Sequence, residues 1–228
     1  MRICVAGRTG VVGNAVVRRA MVNPMFTRII VLSRRPLPGD IELHPKVRII
    51  LHEDFGVWPN RVLNALVGCR ACIWTIGGKA SKFPDLATAW RVGSEYVLYT
   101  VDAFNSALGN VQPPGHKFQF VFVSQGYRQH RFRPSVRLSS TRLIKNDVER
   151  RLREFQKAHP NTIDIKIARP CKVIKVEDGA LRVMLRKVFG GIHEERLARS
   201  LLNLARGGFA DQYFEEDELD GIGKYDVV

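Results

Sequence analysis

The sequence predicts an α/β protein, a single Rossmann-like, doubly wound parallel sheet with helices on both faces, spanning 1–228 as one domain. Three observations predict it. A glycine-rich turn, GRTGVVG at Gly7–Gly13, follows a short apolar strand and opens an amphipathic helix. Beyond it, segments rich in β-branched residues alternate with helix-length amphipathic ones. The run Phe118–Val123 is almost wholly apolar, as suits a strand buried on both faces of a parallel sheet. A length of 228 residues fits one such domain better than two, and 45% hydrophobic with 25% charged residues is an ordinary globular composition.

Each element follows in turn. Arg2–Ala6 is the first strand, and Val11–Val22 repeats apolar residues at helical spacing with Arg18 and Arg19 on the other side. Arg28–Leu32 and Val47–Leu51 read as the second and third strands. Trp58–Val67 is a short helix leading into Ala71–Ile76, the fourth strand. A long helical region covers Asp85–Leu108, Phe118–Val123 is the fifth strand, and Ser140–Lys157 is helical. Ile163–Ala168 is a sixth strand, stopped by Pro170, and Glu194–Arg206 is the last clear helix. The stretch Glu215–Asp220 is acidic but short. A small substrate-covering region is expected near 172–193.

Composition narrows the function. No run of about 18 apolar residues spans a membrane, and MRICVAG enters a strand at once, without space for a secretory leader. The expected setting is cytoplasmic. Cys69 and Cys72 form a CxxC, but no second pair or histidine cluster accompanies it, so metal ligation is not expected and the four cysteines read as free thiols. The net charge of +14 favours an anionic partner such as a phosphorylated cofactor. Positive residues are densest over 128–153, yet that stretch lacks the interleaved aromatics of single-strand binders and any DNA-reading spacing, which argues against nucleic acid.

In a doubly wound sheet, ligands sit beyond the carboxyl ends of the strands. At the first such end, Gly7 permits a tight turn, Gly10 lets backbone approach a diphosphate, and Gly13 lets helix and strand pack closely. The segment Arg8-Thr9-Gly10-Val11-Val12 then offers helix N–H groups and positive dipole to phosphates. The second strand ends in Ser33-Arg34-Arg35, where an NAD site would place a carboxylate for the ribose 2′-hydroxyl. Two guanidiniums and a hydroxyl clamp a 2′-phosphate instead, so the cofactor expected is NADP(H). Asp54 is the candidate acceptor for the adenine amino group. Gly77 and Gly78 would let the chain pass the nicotinamide ribose.

The whole pattern resembles the atypical short-chain dehydrogenase/reductases, in particular their Tat-interacting oxidoreductase-like and NmrA-like NAD(P)-binding group. The resemblance rests on GRTGVVG, VLSRRP, the Ile76-Gly77 turn, WRVGSEYVLYTVDAF, FVFVSQG, SSTRLIKNDVERRL and ARPCKVI, and continues through RKVFGGI and ERLARSLLNLARGG. It implies a compact NADP-binding domain whose active members use Ser, Tyr and Lys, the last two as Tyr-x-x-x-Lys on one helix face. Lys145 matches the lysine, also as a ribose ligand, and Ser124 the serine; Pro170 belongs to the matching cofactor-side turn. Thr141 stands where the tyrosine should be, which puts the proton transfer in doubt. Tyr127 and His130, on the loop after the fifth strand, are the candidate replacements. The alternative for Lys145 is a solvent-exposed helix lysine beside the similarly polar Asp147 and Glu149.

The leading expectation is an oxidoreductase acting on a small carbonyl or unsaturated metabolite. Thr141 motivates the alternatives: a non-redox isomerase, dehydratase or cyclase of secondary metabolism, or an NADP-sensing regulator. The substrate is expected to be a small apolar or anionic molecule, in a pocket drawing on Phe83, Trp90, Tyr127, Phe132, Phe189 and Ile192. A homodimer or a protein partner is the further expectation.

Overall fold

The computed structural model describes residues 1–37, 39–125, 139–175 and 191–226. Seven strands form one all-parallel sheet: β1 (Arg2–Ala6), β2 (Arg28–Ser33), β3 (Val47–Leu51), β4 (Ala71–Trp74), β5 (Phe118–Val123), β6 (Ile163–Arg169) and β9 (Tyr213–Glu215). They lie in the order β3-β2-β1-β4-β5-β6-β9, so the winding reverses between β1 and β4. A two-stranded parallel pair, β7 (Val173–Ile174) with β8 (Ile192–His193), stands beside it.

Near-continuous apolar strands can serve two cores because successive side chains point to opposite faces. Ile3, Val5, Ile29, Val31, Ile73 and Val121 face one core, closed by α1 (Val11–Val22) and α7 (Glu194–Arg206). Cys4, Ala6, Ile30, Leu32, Trp74, Phe120 and Phe122 face the other. That second core is closed by α3 (Asn60–Leu66), α5 (Tyr96–Leu108) and α6 (Ser140–Ala158). The remaining helices are the short α2 (Gly39–Glu42), α4 (Leu86–Trp90) and α8 (Glu216–Ile222). The expected doubly wound sheet with helices on both faces is the observed one.

The helical region expected over Asp85–Leu108 is present, with detail the periodicity does not carry. Asp85 caps α4, its Oδ1 accepting from the Thr88 N–H at 2.7 Å. A π-helical turn, Arg91–Glu95, then joins α4 to α5. It brings Gly93 so close to α6 that a Cβ there would lie 2.8 Å from Ile144 Cγ2.

Two sequence readings need adjusting. The fourth strand stops at Trp74, two residues short of Ile76, because the chain turns under the glycine loop. A further helix follows the one read as the last clear helix: in the short acidic stretch, Glu215 and Glu218 form a reciprocal capping box that starts α8. Next to the cap, the buried Glu216 carboxylate accepts from three backbone N–H groups. These are Cys171 at 2.9 Å, Lys172 at 3.1 Å and Gly191 at 2.8 Å. One side chain thus ties the exit of β6 to the approach of β8.

Cys4, Cys69 and Cys72 are fully buried free thiols, with Cys4 facing Cys72 across β1 and β4. The CxxC is therefore part of the core beneath the sheet. Burial raises the Cys4 thiol well above its ordinary value, and hydrogen bonding with Cys4, then burial, raises Cys69.

Two measurements check this packing. Glu216→Ala leaves three N–H groups without their acceptor and should cost on the order of 3 kcal/mol in urea unfolding, with Glu216→Gln losing less. In native protein a thiol reagent should titrate Cys171 alone, and all four cysteines after unfolding.

Candidate cofactor and substrate clefts

The site is built on the contact between the first turn and the end of β4. Gly7 has φ +94°, and its missing side chain leaves room for Thr75, whose Oγ1 would lie 2.5 Å from a Cβ there. Thr75 Oγ1 donates to the Ala6 carbonyl at 2.8 Å. Gly13 sits against the Gly7 carbonyl at 2.5 Å from an added Cβ, so strand, turn and α1 close on one another without side chains between them. Gly10, the N-cap of α1, provides no side-chain cap, which leaves the helix start open.

Around this turn lies a cleft of about 350 Å³, lined among others by Gly7, Arg8, Thr9, Gly10, Ser33, Arg34, Arg35 and Gly77. Among the described residues, three arginines and no carboxylate line it. Arg8 Nε is buried without a hydrogen-bond partner, and burial, then the nearby Arg18, lowers its guanidinium from the ordinary value. Ser33 closes its own loop, donating to the Arg35 carbonyl at 2.7 Å, so the hydroxyl shapes the loop that presents the two arginines. Asp54 is placed elsewhere. Its Oδ1 accepts from the Gly56 N–H at 2.9 Å, which holds the carboxyl below its usual range, and Phe55 lines the cleft instead.

A second cleft, of about 470 Å³, continues from Thr75, Ile76 and Gly77. It gathers Val11, Val12, Gly78, Ser124, Lys145 and Pro170, together with Lys79, Lys82, Gln125 and Cys171. The sequence reading thus brings most of its cofactor residues to two adjoining clefts at the point where the winding reverses. A third, more open cleft of about 740 Å³ shares Lys79 and Gln125 with the second and adds Phe83, Ser139, Ser140 and Thr141.

The catalytic candidates are held in ways the sequence does not anticipate. Thr141 Oγ1 accepts the Ala80 N–H at 2.8 Å, pinning the turn after β4 to the start of α6. Ser124 is 7% exposed and its hydroxyl donates to Glu149 Oε1 in a close contact. Glu149 is itself buried, and its Oε2 accepts from Arg169, which also reaches Glu215 Oε1 at 2.9 Å. Lys145 is 6% exposed, which corrects the reading of it as a solvent-facing helix lysine beside polar neighbours. Its Nζ lies 4.7 Å from the centre of the Phe122 ring and 3.4 Å from the Val123 carbonyl. Burial lowers this ammonium to about 8, against the opposing attraction of Glu149.

Of the expected apolar pocket residues, Phe83 lines two of the clefts, while Trp90 lines none of the three and Ile192 is wholly buried in the core. Tyr127, His130, Phe132 and Phe189 lie outside the described residues. Glu149 and Gln125 are the residues the sequence reading missed. A signal for Glu149 exists: Ile144, Lys145, Val148, Glu149 and Leu152 form one buried stripe, so two charged residues fall on an apolar face.

No family model matches the chain, and no curated protein does either. Solved structures do match, at low identity. A dTDP-glucose 4,6-dehydratase from Streptomyces venezuelae, solved with NAD bound, is 17% identical with a TM-score of 0.66, over 98% of this chain and 80% of its own. A UDP-N-acetylglucosamine 4-epimerase from Methanobrevibacter ruminantium is 11% identical with a TM-score of 0.67, over 94% of this chain and 75% of its own. A UDP-glucose 4-epimerase from Thermotoga maritima, solved with UDP-glucose, is 14% identical with a TM-score of 0.66, covering 98% and 82%. The chain shares their Rossmann-like α/β fold, in a shorter form. Among the described residues no helix is long and apolar enough to cross a membrane.

Lys145 also gives a stability test. A lysine with a folded pKa near 8 is less readily protonated than in the unfolded chain, where its value is ordinary. Between about pH 8 and pH 10.4 the unfolded state binds the extra proton, so wild-type stability rises with pH through that window. Lys145→Met should be more stable than wild type at pH 7, by a few kcal/mol, and the difference should close by about pH 10 in chemical denaturation.

Proposed function

We propose that the chain is an NADP(H)-binding protein of the short-chain dehydrogenase/reductase type that reduces a small carbonyl or unsaturated metabolite. The carrying observation is the first cleft, where Arg8, Arg34 and Arg35 meet the open end of α1 and, among the described residues, no carboxylate lines the wall. A guanidinium pair favours an added 2′-phosphate, and a carboxylate in its place would repel one. The unpartnered Arg8 Nε and the uncapped helix start are donors that a dinucleotide diphosphate would satisfy. In this reading Gly7–Gly13 hold the diphosphate, Ser33–Arg35 the adenosine phosphate, and Gly77, Gly78, Lys145 and Pro170 the nicotinamide half. The cofactor would supply hydride. The chain's own part is to orient it, to hold the substrate across the second and third clefts, and to manage the proton.

The neighbouring dehydratase holds NAD, so the preference for NADP is this chain's own departure, resting on Arg34 and Arg35. Four free cysteines, three of them fully buried, fit the reducing, cytosol-like setting assigned from the sequence.

A non-redox isomerase or dehydratase on the same fold is the second reading. It is favoured by the two hydroxyls at the expected catalytic positions: Thr141 is engaged by the Ala80 N–H, and Ser124 by Glu149. Substitution of the arginine pair separates the two, since an oxidoreductase loses activity while a cofactor-independent isomerase keeps it.

Titration calorimetry tests the cofactor assignment directly. NADPH should bind at least about tenfold tighter than NADH, and Arg34→Ala with Arg35→Ala should weaken NADPH about a hundredfold while leaving NADH nearly unchanged. Equal affinities, or no binding of either dinucleotide, would overturn the assignment. A spectrophotometric panel of aldehydes, ketones and enones should then reveal NADPH oxidation if the redox reading is right.

A further inference from the structure

We propose that Lys145 is a carbonyl-reactive amine, the site at which small aldehydes condense to an imine inside the second cleft. The inference stands on the cleft itself and goes beyond the cofactor reading; only the protection arm of the test rests on that reading.

Among the described residues, two deeply buried lysines make an instructive contrast. Lys166, 2% exposed, has three oxygens around its ammonium: the Phe209 carbonyl at 2.6 Å, the Asp211 carbonyl at 3.0 Å and Asp164 Oδ1 at 3.0 Å. It lines none of the clefts described above, and its three N–H donors are all used. Among the described residues, Lys145 has one long contact, 3.4 Å to the Val123 carbonyl, and the face of Phe122 beneath it. The carboxylate on its own helix, Glu149, is engaged by Ser124 and Arg169. Among the described residues, the other charged or titratable side chains lining the same cleft are Lys79, Lys82 and Cys171. An amine that is desolvated, has no dedicated counter-ion among the described residues and shares its cleft with cations releases its proton easily, and the lowering to about 8 is consistent with that. A lysine desolvated against an apolar wall is a recognised route to an amine nucleophile.

The chemistry balances without a further reactant. The neutral amine attacks the aldehyde carbon, so a C–N bond forms as the C=O π bond opens, and one N–H proton passes through solvent to the oxygen to give the carbinolamine. A solvent proton on that hydroxyl lets the C–O bond break with loss of water, and return of the second N–H proton to solvent leaves the imine. The cleft of about 470 Å³ has room for a small aldehyde beside Gln125 and Ser124.

The test treats the native chain with acetaldehyde and sodium cyanoborohydride at pH 7, which reduces any imine to a stable secondary amine. Peptide mapping by mass spectrometry then locates the adducts. Lys145 should be alkylated at least about tenfold faster than the ordinary surface lysines, which hold far less free amine at this pH. The Met1 amino group, lowered by burial and by Arg70, is a second expected adduct and serves as the internal control. Saturating NADPH should suppress labelling at Lys145 and leave Met1 unchanged. Labelling at Met1 and surface lysines with none at Lys145, or no labelling of any lysine, would overturn the inference. Labelling of Lys145 that NADPH does not suppress leaves the inference standing and counts against the cofactor assignment. Lys145→Met, which should fold, removes the adduct and fixes its position.

Discussion

The structure turns on one close contact: the mutual packing of Gly7, Gly13 and Thr75. A carbonyl and a hydroxyl occupy the volume where side chains would otherwise be, with both glycines 2.5 Å from a neighbouring oxygen if given a Cβ. Because nothing intervenes, the start of α1 lies directly beside the ends of β1 and β4, where the winding of the sheet reverses. The first and second clefts meet at this place and share Thr75, Ile76 and Gly77. Any side chain at residue 7 or 13 would push the helix from the strand and separate the clefts.

The second organising feature is the polar stripe of α6. Lys145 and Glu149 stand four residues apart on the face that packs against the sheet, and burying them carries a cost that a purely structural helix would avoid. Glu149 recovers part of that cost through Ser124 and Arg169, linking α6 to the ends of β5 and β6. Lys145 recovers much less from the protein. A poorly satisfied charge at the wall of a cleft is what one expects where binding, rather than stability, selects the residue. The same helix carries Thr141, whose hydroxyl accepts a backbone N–H that anchors the turn after β4.

How much was legible varies with the range of the interactions. The strands Arg2–Ala6, Val47–Leu51 and Phe118–Val123 and the helices Val11–Val22 and Glu194–Arg206 were readable because each carries its own periodicity or apolar run. The three-residue strand Tyr213–Glu215 was not, since it pairs only because β6 presents an edge to it. The glycine turn and the arginine pair were readable as features of the strand ends because they belong to a local strand–turn–helix sequence, and both line the first cleft. The Asp54 assignment depended on the path of a loop, and there the Gly56 N–H captured the carboxylate.

By itself, the sequence determined the class of fold, the two-sided sheet, and the glycine turn and arginine pair that line one cleft where the winding reverses. These follow from spacing, backbone sterics and charge sign, which act over a few residues. Only the tertiary structure decided that Lys145 and Glu149 are buried, that Ser124 and Thr141 have their hydroxyls engaged, and that Glu216 gathers three distant N–H groups. Desolvation and hydrogen-bond partnership depend on which elements meet in space, and neighbours along the chain carry no record of that.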